Sequence, residues 1–228
     1  MRLSRATALR ALSAGIVAPA ALADAATAAA PPSSYTPASA LAALLAGNER
    51  YRKDAGVNCN NHYDRRQQIS AGQTPFAIVL GCADSRVPPE VIFDARLGEL
   101  FVVRVAGNIA GDFGIGSIEY ALEHFHSPIL MVLGHEKCGA VAATLDAVKA
   151  GETVPGYIGT LVTAIEPAVK RSLHENGDVL HDAVLANVSD VVKRLGSASQ
   201  VVADATAAGK LHVVGASYDL STGAVTLV

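Results

Sequence analysis

Two short groups of metal-ligating and charged side chains stand out in this sequence. The first, in GCADSRV, holds Cys82, Asp84 and Arg86, and the second, in GHEKCGA, holds His135 and Cys138. Two thiolates and one imidazole form a ligand set that suits Zn²⁺, and three protein ligands leave a fourth position for water or substrate. The residue types therefore predict a zinc site of the catalytic kind on Cys82, His135 and Cys138.

The segments that must position these groups are apolar runs of strand length. FAIVLGC at 76–82 leads into the first group, ILMVLGH at 129–135 leads into the second, and LFVVRVAGN at 100–108 has the same character. The runs are apolar on successive residues, which is typical of strands buried on both faces. Ligands of open parallel sheets bind beyond the carboxyl ends of the strands, so we expect both groups at one sheet edge.

Each motif alone also has a plain structural interpretation. A lone Cys is usually a small buried hydrophobe, a lone His a hydrogen-bonded polar residue, and the Cys82–Arg86 segment could be a turn with an ion pair. A redox pair or a phosphatase loop fits less well, because there is no C-x-x-C motif and Arg86 follows Cys82 too closely to cradle phosphate. The conjunction of both motifs at matching strand ends favours the metal site. Cys59, in VNCNNH, lacks companion ligands and is interpreted as a free or inert thiol.

Helical periodicity marks the segments between and after these runs. Helices are predicted for SALAALLAGNERYRKD with Ser39 as N-cap, for GIGSIEYALEHF, for CGAVAATLDAVKAG, for VLHDAVLANVSDVVKRLG ending at Gly196, and for SQVVADATAAG. Cys138 would start the third of these helices, so the helix dipole should favour its thiolate form.

The order of these elements predicts the fold class. A helix between two buried strands is a βαβ crossover, and the closing LHVVGASYDLSTGAVTLV has the pattern of a hairpin that turns at 221–223. We therefore expect an α/β fold with a mainly parallel central sheet, flanking helices and an antiparallel edge strand. One zinc domain over residues 38–228 is expected.

Composition excludes several classes of protein. The chain has 228 residues, of which 50% are hydrophobic and 17% charged, so a disordered or fibrous chain is excluded. Three cysteines are too few for a disulfide scaffold. A net charge of −3 without any Lys/Arg run gives no footprint for nucleic acid, so none is expected as a partner.

The first 23 residues have the features of a secretory leader. Three arginines and no acidic residue lie within the first ten positions, and the apolar stretch that follows ends in Ala21-Leu22-Ala23 before Asp24. An amphipathic helix or a membrane anchor is the alternative, but the stretch is too short to span a bilayer. We expect a signal peptide at 1–23, a flexible arm at 24–37, and export to a bacterial periplasm, with no membrane contact by the mature form.

Beyond these patterns, CADSR at 82–86 followed by H-x-x-C at 135–138 resembles the signature of the β-class carbonic anhydrases. The resemblance runs from about residue 73 to residue 141, with GELFVVRVAGN and GSIEYALEHF in the order of the family, and extends weakly into GASYDLSTGAV. The family usually has Ser where this chain has Ala83, and Asn where it has Val105. Neither change affects a proposed ligand.

The resemblance implies reversible hydration of carbon dioxide to bicarbonate and a proton, with one Zn²⁺ per chain. It places the zinc on Cys82, His135 and Cys138, with Asp84 and Arg86 as a catalytic dyad beside the fourth ligand position. It also implies a homodimer or higher homo-oligomer, in which the CO₂/bicarbonate pocket, often formed across the dimer interface, is lined by Gln73, Phe101 and Tyr120.

Within this hypothesis, Asp84 orients the attacking hydroxide and Arg86 holds Asp84 by a charge-assisted contact. In a closed state Asp84 would itself become the fourth ligand, and Arg86 competes for that carboxylate. Two alternatives stay open: a related zinc hydrolase acting on another small heterocumulene such as CS₂, which would share every residue, and a non-catalytic zinc-binding protein, which has no use for the dyad.

Overall fold

The computed structural model describes residues 34–57, 63–174 and 177–228. The predicted signal peptide, most of the predicted arm and Cys59 lie outside these ranges. The strands of the described chain are β1 (Ala77–Gly81), β2 (Leu100–Arg104), β3 (Ile129–His135), β4 (His212–Tyr218) and β5 (Val225–Leu227). Its helices are α1 (Pro37–Arg52), α2 (Tyr63–Ile69), α3 (Pro89–Ile92), α4 (Asp112–Phe125), α5 (Gly139–Ala150), α6 (Gly156–Ser172), α7 (Val179–Ala198) and α8 (Gln200–Ala207).

The strands form one mixed sheet in the order β2-β1-β3-β4-β5. The first four strands are parallel to their neighbours, and β5 pairs antiparallel with β4 through the hairpin at the C-terminus. Helix α4 is the crossover from β2 to β3, and it passes over β1, which lies between them. The expected α/β fold with an antiparallel edge strand is confirmed.

Burial distinguishes the central strands from the edge. All residues of β1 and β3 are buried, as their continuous apolar runs predict. In β2 only Leu100 is buried, because this strand pairs with β1 alone and its other edge is unpaired within the described chain. The expectation that β2 is buried on both faces is therefore wrong for a single chain.

Alternate residues of the central strands enter two apolar cores, one on each face of the sheet. Val79 and Met131 point into the first core, which contains residues of α1, α3, α5 and α6. Ile78 and Val132 point into the second core, with residues of α4 and α8. Helix α7 contributes Ala183 and Val184 to the first core and Val188, Val191 and Leu195 to the second.

Two expected helix ends differ from the observed ones. The N-cap of α1 is Thr36, not Ser39: the Thr36 hydroxyl accepts from the Ser39 N–H at 3.2 Å, and the Ser39 hydroxyl accepts from the Thr36 N–H at 2.9 Å. This reciprocal capping box starts the helix at Pro37, inside the predicted arm. Helix α7 continues through Gly196 to Ala198 and ends at Ser199, whose hydroxyl caps α8 by accepting from the Val202 N–H.

Helices α2, α3 and α6 were not predicted from the sequence. The start of α6 contains Gly156 and Gly159, and Pro167 lies inside the helix, so turn-like residues obscure its periodicity. The buried Ile165 and Val169 nevertheless give it an apolar face against the first core. Within the described ranges, no helix combines the length and the apolar character that crossing a membrane requires.

Candidate metal centre

The two predicted ligand groups meet at the carboxyl ends of β1 and β3. Cys82 directly follows β1, His135 is the last residue of β3, and Cys138 is the N-cap of α5. The register pairs Gly81 with Leu133, so the two strands end side by side. One ligand atom from each of Cys82, His135 and Cys138 lies within 4.8 Å of the other two, and all three residues are buried.

The ring of His135 is oriented by the backbone that follows it. Its Nδ1 lies 2.9 Å from the carbonyl oxygen of Glu136. Because a carbonyl can only accept, Nδ1 carries the proton in this contact and the neutral ring leaves Nε2 as a free lone pair. Nε2 is buried and has no hydrogen-bond partner among the described residues. A bare, buried imidazole nitrogen that faces two cysteine sulfurs fits a metal ligand and is otherwise costly.

The sulfur of Cys82 is surrounded by hydrogen-bond donors. The pKa of Cys82 is lowered to about 4, chiefly by the Cys138 thiol and further by His135 and by the backbone N–H groups of Asp84 and Gly107. These two N–H groups lie 3.5 Å and 3.3 Å from Sγ. The donors around this sulfur therefore favour its thiolate form.

Cys138 holds its proton more strongly than a free thiol does. Its pKa is raised, first because its thiol donates to the Cys82 thiolate and then because it is buried, although the N–H groups of Ala140 and Val141 at the start of α5 act in the opposite direction. The expected effect of the helix dipole is present but outweighed. A bound metal ion would replace this shared proton and so make both sulfurs thiolates.

His135 also binds a proton more readily than a free imidazole. Burial opposes the charge, but the contact with the Cys82 sulfur and the Glu136 carbonyl raise the pKa of the ring. Protons therefore compete with a metal ion at both His135 and Cys138.

Asp84 and Arg86 form a bidentate ion pair beside the three ligands. Arg86 Nε lies 3.0 Å from Oδ1 of Asp84 and Nη2 lies 2.7 Å from Oδ2, and the Arg86 backbone N–H also donates to Oδ1. These hydrogen bonds hold the pKa of Asp84 well below its usual range despite partial desolvation. Oδ2 lies 3.9 Å from Nε2 of His135, so a charged carboxylate faces the cluster.

The single chain does not bring the other three predicted site residues to this cluster. Gln73 is exposed and precedes the amino end of β1. Phe101 pairs with Ile78, four residues before Cys82, which is about 13 Å along a strand. Tyr120 on α4 is 49% exposed, and its ring lies 6.3 Å from that of Phe101. Their role in a substrate pocket therefore stays a prediction.

Sequence reasoning missed the residues that support the Cys82 sulfur. Gly107, in a 3-10 turn after β2, has a φ of 70°, and a Cβ there would lie 2.7 Å from Cδ1 of Ile165, so both the backbone conformation and the space favour glycine. Its carbonyl accepts from Nδ2 of Asn187 at 2.9 Å, which holds the Gly107–Asn108 peptide, the next one after the peptide whose N–H faces Cys82. An amide on the apolar face of a helix was the available signal for Asn187. Arg104, the charged residue that closes the β2 run, was missed as well.

Comparison with known proteins agrees with this geometry. The sequence profile of the family described as carbonic anhydrase matches residues 77–225. The chain is 37% identical to "Carbonic anhydrase 2" of Mycobacterium tuberculosis over 191 residues, which cover 84% of this chain and 92% of that protein.

Solved structures give the same result for the fold. The β-carbonic anhydrase CafA of Aspergillus fumigatus is 26% identical with a TM-score of 0.66, over 82% of this chain and 90% of that one. One of two tetrameric β-carbonic anhydrases of Sordaria macrospora, at 22% identity and a TM-score of 0.65 over 84% and 94% of the two chains, shares the fold. From the matching profile, the relatives and the cluster at the sheet edge, it follows that this chain belongs to the β class of the carbonic anhydrase family.

Proposed function

We propose that this protein is a zinc-dependent enzyme that catalyses the reversible hydration of carbon dioxide to bicarbonate and a proton. One observation carries the proposal: the unpartnered Nε2 of buried His135 faces two cysteine sulfurs beside a carboxylate that an arginine holds. Membership of the family supports the same activity.

The donor set defines which residues would hold the metal. Cys82, His135 and Cys138 would bind one Zn²⁺ per chain, since two sulfurs and one imidazole suit this ion better than the oxygen-seeking cations. When bound, Zn²⁺ supplies a hydroxide nucleophile from water near neutral pH.

Asp84 would orient the nucleophile, and Arg86 would orient Asp84. A carboxylate that stays ionised is an acceptor only, so Asp84 would accept a hydrogen bond from the hydroxide and leave the lone pair of the hydroxide oxygen directed at carbon dioxide. Arg86 occupies both carboxylate oxygens, which keeps Asp84 from acting as a fourth metal ligand. The conformation described here therefore supports the open state of the site, with the closed state reached only when Arg86 releases Asp84.

A second copy of the chain would complete the substrate pocket with Gln73, Phe101 and Tyr120. Three features support a homodimer or higher homo-oligomer: the unpaired edge of β2, the half-exposed aromatic side chains beside it, and the tetrameric relatives from Sordaria macrospora. The rings of Phe101 and Tyr120 would exclude bulk water from the carbon dioxide site. The Gln73 amide would donate a hydrogen bond to a substrate oxygen.

We further propose that residues 1–23 direct export and are removed, which would place the enzyme in a bacterial periplasm. The order of the basic, apolar and small-residue segments supports this. N-terminal sequencing of the protein from the producing cells should begin at Asp24, whereas a chain that keeps residues 1–23 would contradict it.

The activity is tested by stopped-flow hydration of carbon dioxide with metal analysis on the same sample. We expect one zinc per chain and turnover that is lost on chelation. A zinc-loaded protein without turnover would point to the non-catalytic alternative, and faster turnover of CS₂ than of carbon dioxide would point to the other zinc hydrolase.

A further inference from the structure

The loop that follows β1 carries much of the site but has little structure of its own. Residues 82–88 lie in neither a helix nor a strand, and Ala83 and Ser85 are exposed. Within the loop, the Val87 N–H donates to the Asp84 carbonyl at 3.2 Å, which closes one turn. Cys82 and Asp84 must nevertheless keep fixed positions relative to His135, so contacts from outside the loop must hold it.

Arg104 makes such a contact from the neighbouring strand. It is the last residue of β2 and lies opposite Gly81, the last residue of β1. Its Nε donates to the carbonyl oxygen of Cys82 at 2.9 Å, and its Nη2 donates to that of Asp84. One guanidinium therefore bridges the Cys82–Ala83 peptide and the Asp84–Ser85 peptide.

The chemistry of this contact requires an arginine. The guanidinium is planar and always charged, and it presents parallel donors at a fixed spacing, whereas an ammonium group acts as a single point. Charge-assisted hydrogen bonds are also shorter and stronger than those between neutral groups. Because β2 is registered against β1, its last residue stays at a fixed height above the sheet edge.

From these contacts we infer that Arg104 is a positioning residue for the hydration reaction, acting through Asp84. By fixing the carbonyl of Asp84, it fixes the backbone from which the carboxylate projects towards the metal ligands. Arg86 sets the rotation of that carboxylate, and Arg104 sets the place of its backbone. This inference rests on the proposed function, because the role it assigns is that of orienting the nucleophile.

The test compares Arg104→Lys and Arg104→Ala with the parent protein, each in the zinc-loaded form. A misplaced catalytic group costs about 10- to 100-fold in rate, so we expect kcat to fall by that order in Arg104→Ala and by less in Arg104→Lys. The KM for carbon dioxide and the zinc content should stay close to those of the parent. Guanidinium ion at millimolar concentration should partly restore Arg104→Ala.

A double-mutant cycle separates positioning of Asp84 from general damage to the fold. In an Asp84→Asn background, Arg104→Ala should cost less than about 3-fold in kcat, because the group that it positions no longer acts. An equal cost in both backgrounds, or loss of zinc from Arg104→Lys, would overturn the inference. Arg96→Ala is the matched control, since Arg96 lies before the other end of β2, is half exposed and pairs with Glu99.

Hydrogen exchange provides a measurement that does not depend on activity. In the metal-free and the zinc-loaded protein, peptides that span 82–87 should exchange faster in the Arg104 variants than in the parent, while peptides from α4 should not change. Unchanged exchange at 82–87 would overturn the inference even where the parent hydrates carbon dioxide. A parent that shows no turnover but the expected exchange would instead count against the proposed function alone.

Discussion

Most polar contacts to the three candidate ligands come from the backbone. The Glu136 carbonyl fixes the ring of His135, and the N–H groups of Gly107 and Asp84 face the Cys82 sulfur. A backbone contact survives most substitutions at its own position, so the ligand orientation depends on the fold around it. Asp84 differs, because a single side chain, Arg86, occupies both of its carboxylate oxygens.

The first prediction concerns the metal. Cys138→Ser should abolish zinc binding and activity, because a serine hydroxyl does not ionise near neutral pH and is a poor zinc ligand. Metal analysis of the purified variant and stopped-flow hydration of carbon dioxide would measure both. Cys59→Ser is the control and should keep both properties. Stoichiometric zinc in Cys138→Ser would show that the ligands lie elsewhere.

The second prediction concerns the dyad. Arg86→Ala should keep its zinc but lose about 100-fold in kcat, because Asp84 is no longer oriented and is free to take the fourth ligand position. Metal analysis and stopped-flow hydration of carbon dioxide on the same sample would measure the zinc content and kcat of the variant. Arg171→Ala removes an ion pair of similar exposure, with Asp190, that joins α6 to α7 and includes neither residue of the dyad, and it should have full activity. An Arg86→Ala variant as active as Arg171→Ala would remove Asp84 from the mechanism.

At the scale of elements, the sequence predicts the helices and strands whose apolar pattern is not interrupted by turn residues. The strands β1 and β3 are continuous apolar runs, and the ligand motifs directly follow them, so both the sheet edge and the metal cluster could be inferred. Helix α6 could not, because Gly156, Gly159 and Pro167 give turn signals that only burial against the first core outweighs. Gly196 could not be recognised as helical, because α7 ends only at Ser199, which is at once the C-cap of α7 and the N-cap of α8.

Asn48 connects three elements that the sequence separates widely. Its buried amide donates to the carbonyls of Ile92 and Gly223 and accepts from the Val225 N–H, so α1 is joined to α3 and to the terminal hairpin. Asn48→Ala should lower the free energy of unfolding by about 2 to 4 kcal/mol, because buried backbone groups lose their partners. Urea unfolding measures this, with Gln200→Ala, an exposed amide, as a near-neutral control. A loss below about 1 kcal/mol would contradict the assigned role.

The hairpin turn gives a pH-dependent contribution to stability. The Ser221 hydroxyl, together with the N–H groups of Ser221 and Thr222, lowers the pKa of Asp219 to about 2. A carboxyl whose folded pKa is depressed stabilises the fold above its unfolded pKa, about 3.9, and the effect is lost as pH falls towards the folded value. Asp219→Asn should therefore be less stable than the parent at pH 6, with the difference shrinking towards pH 2. Urea unfolding of the metal-free proteins tests this, and a difference independent of pH would contradict it.

At the scale of the whole molecule, one chain is not sufficient to explain the predicted pocket. Gln73, Phe101 and Tyr120 are distant from the cluster in the described chain, and no pattern within one sequence locates a surface that a second copy covers. Their grouping depends on the resemblance alone. The half-exposed aromatic side chains and the unpaired edge of β2 beside them are consistent with that expectation.

Tyr120→Asp should therefore weaken self-association. A carboxylate in an apolar contact costs more to desolvate than the contact contributes, so light scattering after gel filtration should move towards the mass of one chain. Tyr157→Asp is the control: this tyrosine is 92% exposed on α6, away from β2, and its substitution should leave the mass unchanged. A mass unaffected by Tyr120→Asp, or a parent already of single-chain mass, would contradict the proposed interface.

The register between β1 and β3 also determines what zinc would do for folding. Cys82 and His135 are 53 residues apart in sequence and become neighbours only when these two strands pair correctly. An unfolded chain therefore contains no preformed site, and the free energy of metal binding adds to that of folding. By mass action, the fraction of folded chains would follow the free zinc concentration of the compartment where the chain folds. Zinc would then regulate the abundance of this protein as well as its activity.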